Sequence, residues 1–410
     1  MKPKSFMLIA GEASGDLLGA ELVQSLRDEL ARAEAAPSCD YQPLYTSLEP
    51  RFFGAGGPQM AKAGVKLALD LTAHSVIGLS DVLKNLLKFR RLLLQLYHLA
   101  LEQQPDAIIC IDFSGFNRRF AHAIKTYVRG RRDWFHDWQP KIIQYVSPQV
   151  WASRPGRVYQ MAEDYDLVLS IFPFEKDWYA KRVSELRVEF VGHPLLDRYG
   201  SSTSNSAPTS AARSTPMVVL LPGSRRVELR RHLPVMLASL EILRQAKPGI
   251  HTRMVLPDEK LVAIAKRYNR PADLEIQTGG LAEALRAADV AIASTGTVTM
   301  ECAAFGVPTV ALYKTSWSNY QIAKRLVNVK YLAMPNLLAE GEVFPEFIQD
   351  AATPENIARA AEELLRDESR RQQTKARLRE IIHSLGEPGA SRRAAQAIAR
   401  LIEPEPMRIS

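Results

Sequence analysis

The chain has 410 residues, of which 46% are hydrophobic and 24% charged, and its formal net charge is +8. This length predicts two domains of about 200 residues each, and the composition excludes an intrinsically disordered protein. The positive charge favours an anionic partner, either phosphate groups, nucleic acid or an acidic membrane surface, and does not choose among them.

The cysteines and the apolar segments restrict the class of protein further. Cys39, Cys110 and Cys302 are far apart and odd in number, which argues against a disulfide framework or a zinc site and favours a reducing cytoplasm. The apolar run at the start is too short for a signal peptide, and no window approaches the roughly 18 apolar residues of a membrane span. We therefore expect a soluble or peripheral protein.

The first half opens on a short buried strand, predicted over residues 6–10. The turn Gly11-Glu12-Ala13-Ser14-Gly15-Asp16 and a helical pattern of leucines follow it directly. This succession is typical of the start of a doubly wound α/β domain. Helical stretches separate the later strands, so a parallel sheet is expected. These strands are predicted over residues 107–111, 141–146, 167–171 and 188–191.

Residues 200–216 are almost wholly Ser, Thr, Ala, Asn and Pro, and they are predicted to form a linker or loose loop. A second alternation follows, with strands at 217–221, 252–256, 290–293 and 309–313 and helices at 232–245 and 297–305. The tail from 354 to 403 is helical in pattern. The sequence thus predicts two Rossmann-like domains facing across a cleft. The first domain is expected over 1–199, the linker over 200–216 and the second domain over 217–384. A last helix, within 385–410, could pack back on the first domain.

The turn after the first strand carries candidate sugar-binding groups. Its spacing differs from GxGxxG, which disfavours a nicotinamide cofactor. The carboxylates of Glu12 and Asp16 would repel a diphosphate but could bind sugar hydroxyls, as could Ser14, and Gly15 permits close approach. A helix N-cap cluster explains the same residues equally well.

Asp112 is the candidate general base. It follows a wholly apolar strand, which places it at the lip of the predicted cleft, and a carboxylate there could accept a proton from an attacking hydroxyl. It could equally cap the following turn. Asn117, in the same segment, is predicted to bind the acceptor that carries this hydroxyl, together with Glu12, Ser14, Gly15 and Asp16 of the first turn.

Two loops of the second half suit phosphate. In Ser294-Thr295-Gly296-Thr297 a strand ends and a helix begins, so free backbone N–H groups and hydroxyls would meet a diphosphate, and Glu301, one turn later, could bind ribose hydroxyls. In Gly223-Ser224-Arg225 the glycine allows close approach and the guanidinium matches phosphate geometry. An ordinary capped helix with Glu301 on a solvated face is the alternative.

The segment from residue 76 to residue 101 is both apolar and basic. Its apolar residues cover more than half of a helix surface, so a second apolar face would be available to lipid, and the cations would meet anionic headgroups. A core helix with solvated charges is the alternative. The residues predicted to contact a membrane are Leu83, Leu86, Leu87, Lys88, Phe89, Arg90 and Arg91.

Segments in a fixed order resemble the lipid-A-disaccharide synthases, bacterial inverting glycosyltransferases of the GT-B architecture. The resemblance covers roughly residues 6–350. It lies in the turn at 11–16 and in the stretches Gly54-Ala-Gly-Gly-Pro58, Tyr145-Val-Ser-Pro-Gln-Val-Trp-Ala152, Phe172-Pro-Phe-Glu175, Val191-Gly-His-Pro194, Leu221-Pro-Gly-Ser-Arg225, Ser294-Thr-Gly-Thr297 with Glu301, and Met334-Pro-Asn-Leu-Leu338.

The resemblance implies a reaction and its site residues. UDP-2,3-diacylglucosamine would donate its sugar to the 6-hydroxyl of 2,3-diacylglucosamine 1-phosphate (lipid X), giving a β-1,6-linked disaccharide and UDP. Asp112 matches the family's general base, Arg225 and Glu301 match its UDP side, and Asn336 matches a further active-site position that we assign to UDP. No metal, cofactor or nucleic acid is expected. The protein would lie on the cytoplasmic face of the inner membrane, and the resemblance is compatible with a monomer or a homodimer.

Two positions depart from the family pattern, and rival functions remain. Ser114-Gly115 replace Pro-Asp, and Ser153 replaces a tryptophan, both near the expected acceptor site. A UDP-N-acetylglucosamine epimerase, the transferase of peptidoglycan lipid precursors and a non-catalytic UDP-sugar-binding protein are the alternatives.

Overall fold

A computed structural model describes residues 3–35, 49–72, 82–131, 137–203 and 215–403. The chain forms two compact units: residues 1–197 together with 387–410, and residues 198–386. It first passes from one unit to the other within a single helix, Leu195–Thr203. The middle of the predicted linker, residues 204–214, lies outside the described residues.

The first unit is built on a parallel sheet, with strand order β3-β2-β1-β4-β5-β6-β7 among the described residues. Its central strands are apolar and buried along their whole length, as expected for a sheet covered by helices on both faces. The strands are β1 (Ser5–Ala10), β2 (Arg51–Gly56), β3 (Lys66–Asp70), β4 (Ala107–Ile111), β5 (Lys141–Tyr145), β6 (Leu167–Ser170) and β7 (Val188–Phe190).

The helices of the first unit connect these strands, and the last helix of the chain joins them. It packs against α1, and the Asp197 carboxylate accepts hydrogen bonds from the N–H groups of Ala390 and Ser391 at its start. The helices are α1 (Ala13–Ala35), α2 (Pro58–Lys62), α3 (Val82–Gln103), α4 (Ser114–Gly130), α5 (Arg157–Asp164), α6 (Pro173–Ala180) and α16 (Ala390–Ile402). Helix α7 (Leu195–Thr203) begins in the first unit and ends in the second.

The second unit repeats the plan, with strand order β10-β9-β8-β11-β12-β13 and parallel pairing throughout its described residues. Its strands are β8 (Met217–Leu221), β9 (His251–Leu256), β10 (Glu275–Thr278), β11 (Val290–Ser294), β12 (Thr309–Tyr313) and β13 (Glu346–Ile348). Its helices are α8 (Arg226–Ala246), α9 (Glu259–Ala265), α10 (Leu281–Ala287), α11 (Thr297–Ala304), α12 (Trp317–Leu326), α13 (Met334–Leu338), α14 (Pro354–Arg366) and α15 (Glu368–Ser384), with a 3-10 turn at Gln349–Ala351.

The prediction of two Rossmann-like domains with parallel sheets is confirmed, and every predicted strand is present. Strand β2 was not predicted, because glycines at its fourth and sixth positions are typical of a turn. The structure explains Gly54: a Cβ atom there would lie 2.1 Å from the carbonyl oxygen of Leu8 on the neighbouring strand. Helix α8 starts six residues before the predicted start, with Pro234 inside it.

Candidate active site

Each sheet has one point where the strand order reverses. It lies between β1 and β4 in the first unit and between β8 and β11 in the second. Open parallel sheets bind ligands at the carboxyl ends of the strands beside such a point. The loops that follow these four strands are the ones whose residues the sequence singled out, so each unit has one candidate site.

The loop after β4 holds Asp112 in an unusual backbone conformation. Asp112 and Phe113 have φ angles of 46° and 44°, and Val146, at the end of the neighbouring strand β5, has φ 66°. Non-glycine residues seldom occupy this left-handed region, and each such residue costs about 1–3 kcal/mol. Three of them at the ends of adjacent strands show that the surrounding contacts hold the backbone at Asp112 in this conformation.

Two buried amide side chains hold these strand ends. The Nδ2 group of Asn117 donates to the carbonyl oxygen of Asp112 at 2.9 Å, and the Nε2 group of Gln144 donates to that of Val146 at 3.1 Å. Asn117 was predicted to bind the acceptor. Its side chain is completely buried and also reaches the carbonyl of Ile111 at 3.3 Å, so it positions Asp112 instead.

The turn after β1 lies against the same loop. A Cβ atom on Gly11 would be 2.3 Å from the ring of Phe113, so only glycine fits beneath that ring. Ser14 is exposed and Glu12 half-buried, so both stay candidates for contact with a sugar, and Gly15 is buried beside them.

Asp16 has a structural role that the sequence did not indicate. Its carboxylate is 2% exposed and accepts hydrogen bonds from the N–H groups of Gly57 at 2.8 Å, Gln59 at 2.9 Å and Met60 at 3.0 Å. It therefore caps the start of α2, and the prediction that it binds the acceptor is replaced by this role.

Asp16→Asn is expected to lower the free energy of unfolding by about 2–3 kcal/mol, because the amide NH₂ group would face N–H donors that then lose their acceptor. Urea denaturation measures this loss, and Ser14→Ala, an exposed neighbour, is the matched control with an expected change within about 0.5 kcal/mol. Unchanged stability combined with a raised KM for the acceptor would restore the sugar-binding role.

In the second unit, the loops after β8 and β11 converge. Gly223 has φ +121°, and a Cβ atom there would lie 2.7 Å from Oε2 of Glu228 and 3.4 Å from Oγ of Ser294. The Glu228 carboxylate accepts a hydrogen bond from the N–H of Ser224 at 3.2 Å and lies 3.5 Å from the guanidinium of Arg225. Glu228, which no sequence motif singles out, thus orients the loop. Ser224 and Arg225 are exposed.

The loop after β11 leaves an open helix start. Ser294 is buried, Thr295 half-buried, and Gly296 and Thr297 are exposed, with no atom within 4 Å of a Cβ built on Gly296. The space beside Gly296 is therefore open, and the N–H groups and dipole at the start of a helix favour an anion at such a place.

Glu301, one turn into α11, is held by Tyr199. The tyrosine hydroxyl donates a hydrogen bond to Oε1 of Glu301 at 3.3 Å, and its ring packs on Phe305 with centroids 5.0 Å apart. Burial raises the pKa of Glu301, which the charge of Arg198 and the hydrogen bond from Tyr199 partly offset. These contacts fix a carboxylate beside the helix start.

His232 ties the loop after β8 to the loop after β12. It is completely buried, and burial lowers its pKa, so the ring is neutral at pH 7. Its Nε2 atom accepts from the N–H of Lys314 at 3.0 Å, which leaves Nδ1–H to donate to the carbonyl of Pro222 at 3.0 Å. This role was not predictable from the sequence, since a histidine within a helix has no distinctive neighbours.

Asn336 has no capacity left for UDP, to which it was assigned. Its side chain is completely buried and donates to the carbonyl of Phe344 at 2.8 Å and to Glu346 at 3.1 Å. Its Oδ1 atom accepts from the N–H groups of Val343 at 2.9 Å and Phe344 at 2.8 Å. Both N–H donors and both oxygen lone pairs of the Asn336 amide are thus used. The residue therefore stabilises the loop that precedes β13.

A buried carboxyl group supports the loop after β5. Glu175 is completely buried, accepts from Nε1 of Trp151 at 3.0 Å and from the N–H of Phe172 at 3.3 Å, and fixes the indole, which packs edge-on against Phe174 at 4.9 Å. Burial raises the pKa of Glu175 to about 7, although these hydrogen bonds lower it.

The ionisation of Glu175 is expected to make stability depend on pH. Its pKa in the folded protein lies above its unfolded value, so its contribution is present at low pH and is lost as pH rises through about 7. From pH ~5 to pH ~8 the wild type should lose about 2–3 kcal/mol relative to Glu175→Gln, which does not ionise. Urea denaturation of both proteins at the two pH values measures this, and parallel pH profiles would contradict it.

Helix α3 covers most of the apolar and basic segment, and its described residues fall into two groups, one exposed and one packed on the core. Leu87 is 77% exposed, and Lys88, Arg90 and Arg91 are exposed too. Phe89 differs from the prediction, because its ring packs against Phe113 with centroids 6.3 Å apart. Residues 76–81 and the side chains of Leu83 and Leu86 lie outside the described part of the chain. No described helix is long and apolar enough to span a membrane.

Two Rossmann-like domains, each with a candidate site at its switch point, define the fold class of the GT-B glycosyltransferases and related sugar-nucleotide epimerases. The chain is similar to the calicheamicin glycosyltransferase CalG4 (TM-score 0.55, 15% identity, 98% of this chain and 100% of that chain). It is likewise similar to the UDP-GlcNAc 2-epimerase of Methanocaldococcus jannaschii (TM-score 0.59, 10% identity, 97% and 100%). At these identities the likeness shows the fold alone.

Sequence comparison defines the family. The lipid-A-disaccharide synthetase family model matches residues 6–401. The chain is 36% identical to the lipid-A-disaccharide synthase of Trichlorobacter lovleyi, over 98% of both proteins. The chain therefore belongs to the lipid-A-disaccharide synthetase family, and it has the GT-B fold.

Proposed function

We propose that this protein transfers 2,3-diacylglucosamine from UDP-2,3-diacylglucosamine to the 6-hydroxyl of 2,3-diacylglucosamine 1-phosphate. The products are the β-1,6-linked disaccharide 1-phosphate and UDP. Family membership over residues 6–401 supports the reaction. One observation supports the roles assigned below. Asp112 lies in a constrained loop at the switch point of the first sheet, and the open start of α11 lies at the switch point of the second.

Asp112 acts as the general base. As the 6-hydroxyl oxygen attacks the anomeric carbon, its proton passes to the carboxylate, and the bond between the anomeric carbon and the UDP oxygen breaks. Attack opposite to the leaving group inverts the configuration at that carbon. Asn117 holds the left-handed backbone at Asp112 through its hydrogen bond to the carbonyl oxygen, so the loop that carries the base need not reorganise during the reaction.

The second unit binds UDP. The N–H groups at the start of α11 and the guanidinium of Arg225 receive the diphosphate, and the Glu301 carboxylate accepts hydrogen bonds from the ribose hydroxyls. The loop residues Gly223, Ser224, Ser294, Thr295, Gly296 and Thr297 complete this site. Since the helix dipole and the arginine stabilise the charge of the departing UDP, we propose that transfer needs no metal ion.

The acceptor and product are lipids, so the protein is proposed to act at the cytoplasmic face of the inner membrane as a peripheral protein. The exposed side chains of Leu87, Lys88, Arg90 and Arg91 on α3 support this, because they combine an apolar group with cations.

Incubation with both substrates, followed by mass spectrometry and UDP measurement, tests the function. We expect disaccharide and UDP in equal amounts, a β-linkage by NMR, and undiminished transfer in EDTA. UDP without disaccharide would indicate hydrolysis, an isomerised donor would indicate an epimerase, and neither product would indicate a binding protein. Each of these three results contradicts the proposal.

A further inference from the structure

Four arginines lie at the carboxyl edge of the first sheet, near Asp112. Arg118 and Arg119 are in the second turn of α4, which follows β4, while Arg154 and Arg157 are in the segment between β5 and the start of α5. Strands β4 and β5 are parallel neighbours, and α4 packs against α5. The fold thus brings together two pairs of cations that are 35 residues or more apart in sequence.

Among the residues that the structure describes, these four arginines repel one another electrostatically and have no acidic partner. Partial burial lowers the pKa of Arg157, and the charges of Arg118, Arg154 and Arg119 lower it further. Across the described ranges, none of the four forms an ion pair or hydrogen bond with a carboxylate.

The acids that are near the packed helices have other partners. On α5, Asp164 bonds to His122 at 3.1 Å, and Glu163 faces Arg129 at 4.0 Å. By contrast, Arg253 in the second unit is paired with Glu275 at 2.8 Å. A group of like charges that has no acidic partner within the described ranges is suited to an anionic ligand.

We propose that Arg118, Arg119, Arg154 and Arg157 bind the phosphate monoester of the acceptor glycolipid. This inference rests on the proposed function, which makes a sugar 1-phosphate the acceptor. The guanidinium group presents paired N–H donors that match phosphate oxygens, and a phosphate monoester carries close to two negative charges at neutral pH.

The position of the group also fits this ligand. The start of α4 lies between Asp112 and Arg118, and Gly115 in its first turn is exposed, with no atom within 4 Å of a Cβ built there. The sugar ring of the acceptor would thus lie over an open helix start, with its 6-hydroxyl toward Asp112 and its phosphate toward the arginines. The UDP-sugar has no terminal monoester, so these arginines would select the acceptor and not the donor.

Steady-state kinetics in detergent, with acceptors that carry or lack the 1-phosphate, test the proposal. For Arg157→Gln and Arg118→Gln we expect the KM of the phosphorylated acceptor to rise at least about tenfold. The KM of the donor and the KM of the acceptor without phosphate should stay unchanged. Arg157→Lys should retain part of the preference, and Arg379→Gln, an exposed arginine of α15, should retain all of it.

A preference for the phosphorylated acceptor that is equal in wild type and both Gln variants would overturn the proposal. The same holds if the Gln variants only lose binding to phosphatidylglycerol vesicles, since the arginines would then serve the membrane surface.

A binding experiment separates this proposal from the proposed reaction. Glucosamine 1-phosphate, followed by ³¹P NMR, should bind the wild type, and the Arg118→Gln/Arg157→Gln protein should bind it at least about tenfold more weakly. This readout needs no turnover, so it supports the anion site even if no disaccharide forms. Absence of binding to the wild type, or equal binding by the double variant, would overturn the site itself.

Discussion

Asp112→Asn is expected to reduce kcat by about 10²–10⁴-fold, the range for loss of a general base, while the dissociation constant of UDP stays within about twofold of wild type. Asparagine removes the basic oxygen but has nearly the same shape. It also tolerates the left-handed backbone at φ 46°, so the loop should keep its conformation. Asp112→Ala should abolish turnover as well, with added strain at this position.

Single-turnover transfer and calorimetric titration with UDP check this expectation on the same preparation. Asp177→Asn, an exposed aspartate on α6, is the matched control and should leave both quantities unchanged. Retained turnover in Asp112→Asn would remove Asp112 from the role of base. Loss of UDP affinity along with turnover would show that the substitution disturbs more than proton transfer.

Arg225→Ala is expected to weaken UDP binding by about 10–100-fold, because a charge-assisted contact with the diphosphate is lost. The substitution also removes the cation beside Glu228, whose carboxylate then faces the incoming diphosphate without its partner at 3.5 Å. Arg225→Lys keeps the charge but not the paired donors, so its affinity should be intermediate.

Arg226→Ala is the matched control for this measurement, since the neighbouring arginine is also exposed and its removal changes the net charge equally. We expect its UDP affinity to stay within about twofold of wild type. If both variants lose affinity to the same extent, general charge and not a specific contact at Arg225 explains UDP binding.

The fold was largely predictable from the sequence because its central strands are uninterrupted apolar runs, which only a sheet covered on both faces buries. Residues 107–111 and 217–221 are of this kind. The edge strands β3, β10 and β13 were not predicted, since short strands that contain polar residues and are only partly buried resemble loops.

The site was predictable only in part, because a sequence gives the type of a residue and not the direction of its side chain. Asp16, Asn117 and Asn336 were assigned to ligands, yet each is buried and bonded to backbone groups. Conversely, Tyr199 and His232 went unnoticed, because their partners lie 102 and 82 residues away. Such pairs become neighbours only through the parallel crossovers of the fold.

A crystal structure of the chain with UDP tests most directly the claim that the switch point of the second unit binds UDP while that of the first unit supplies the general base. We predict that the diphosphate lies at the start of α11 near Arg225, with the ribose hydroxyls bonded to Glu301, and that the first unit holds no nucleotide. A diphosphate beside Asp112, between β1 and β4, would contradict the account.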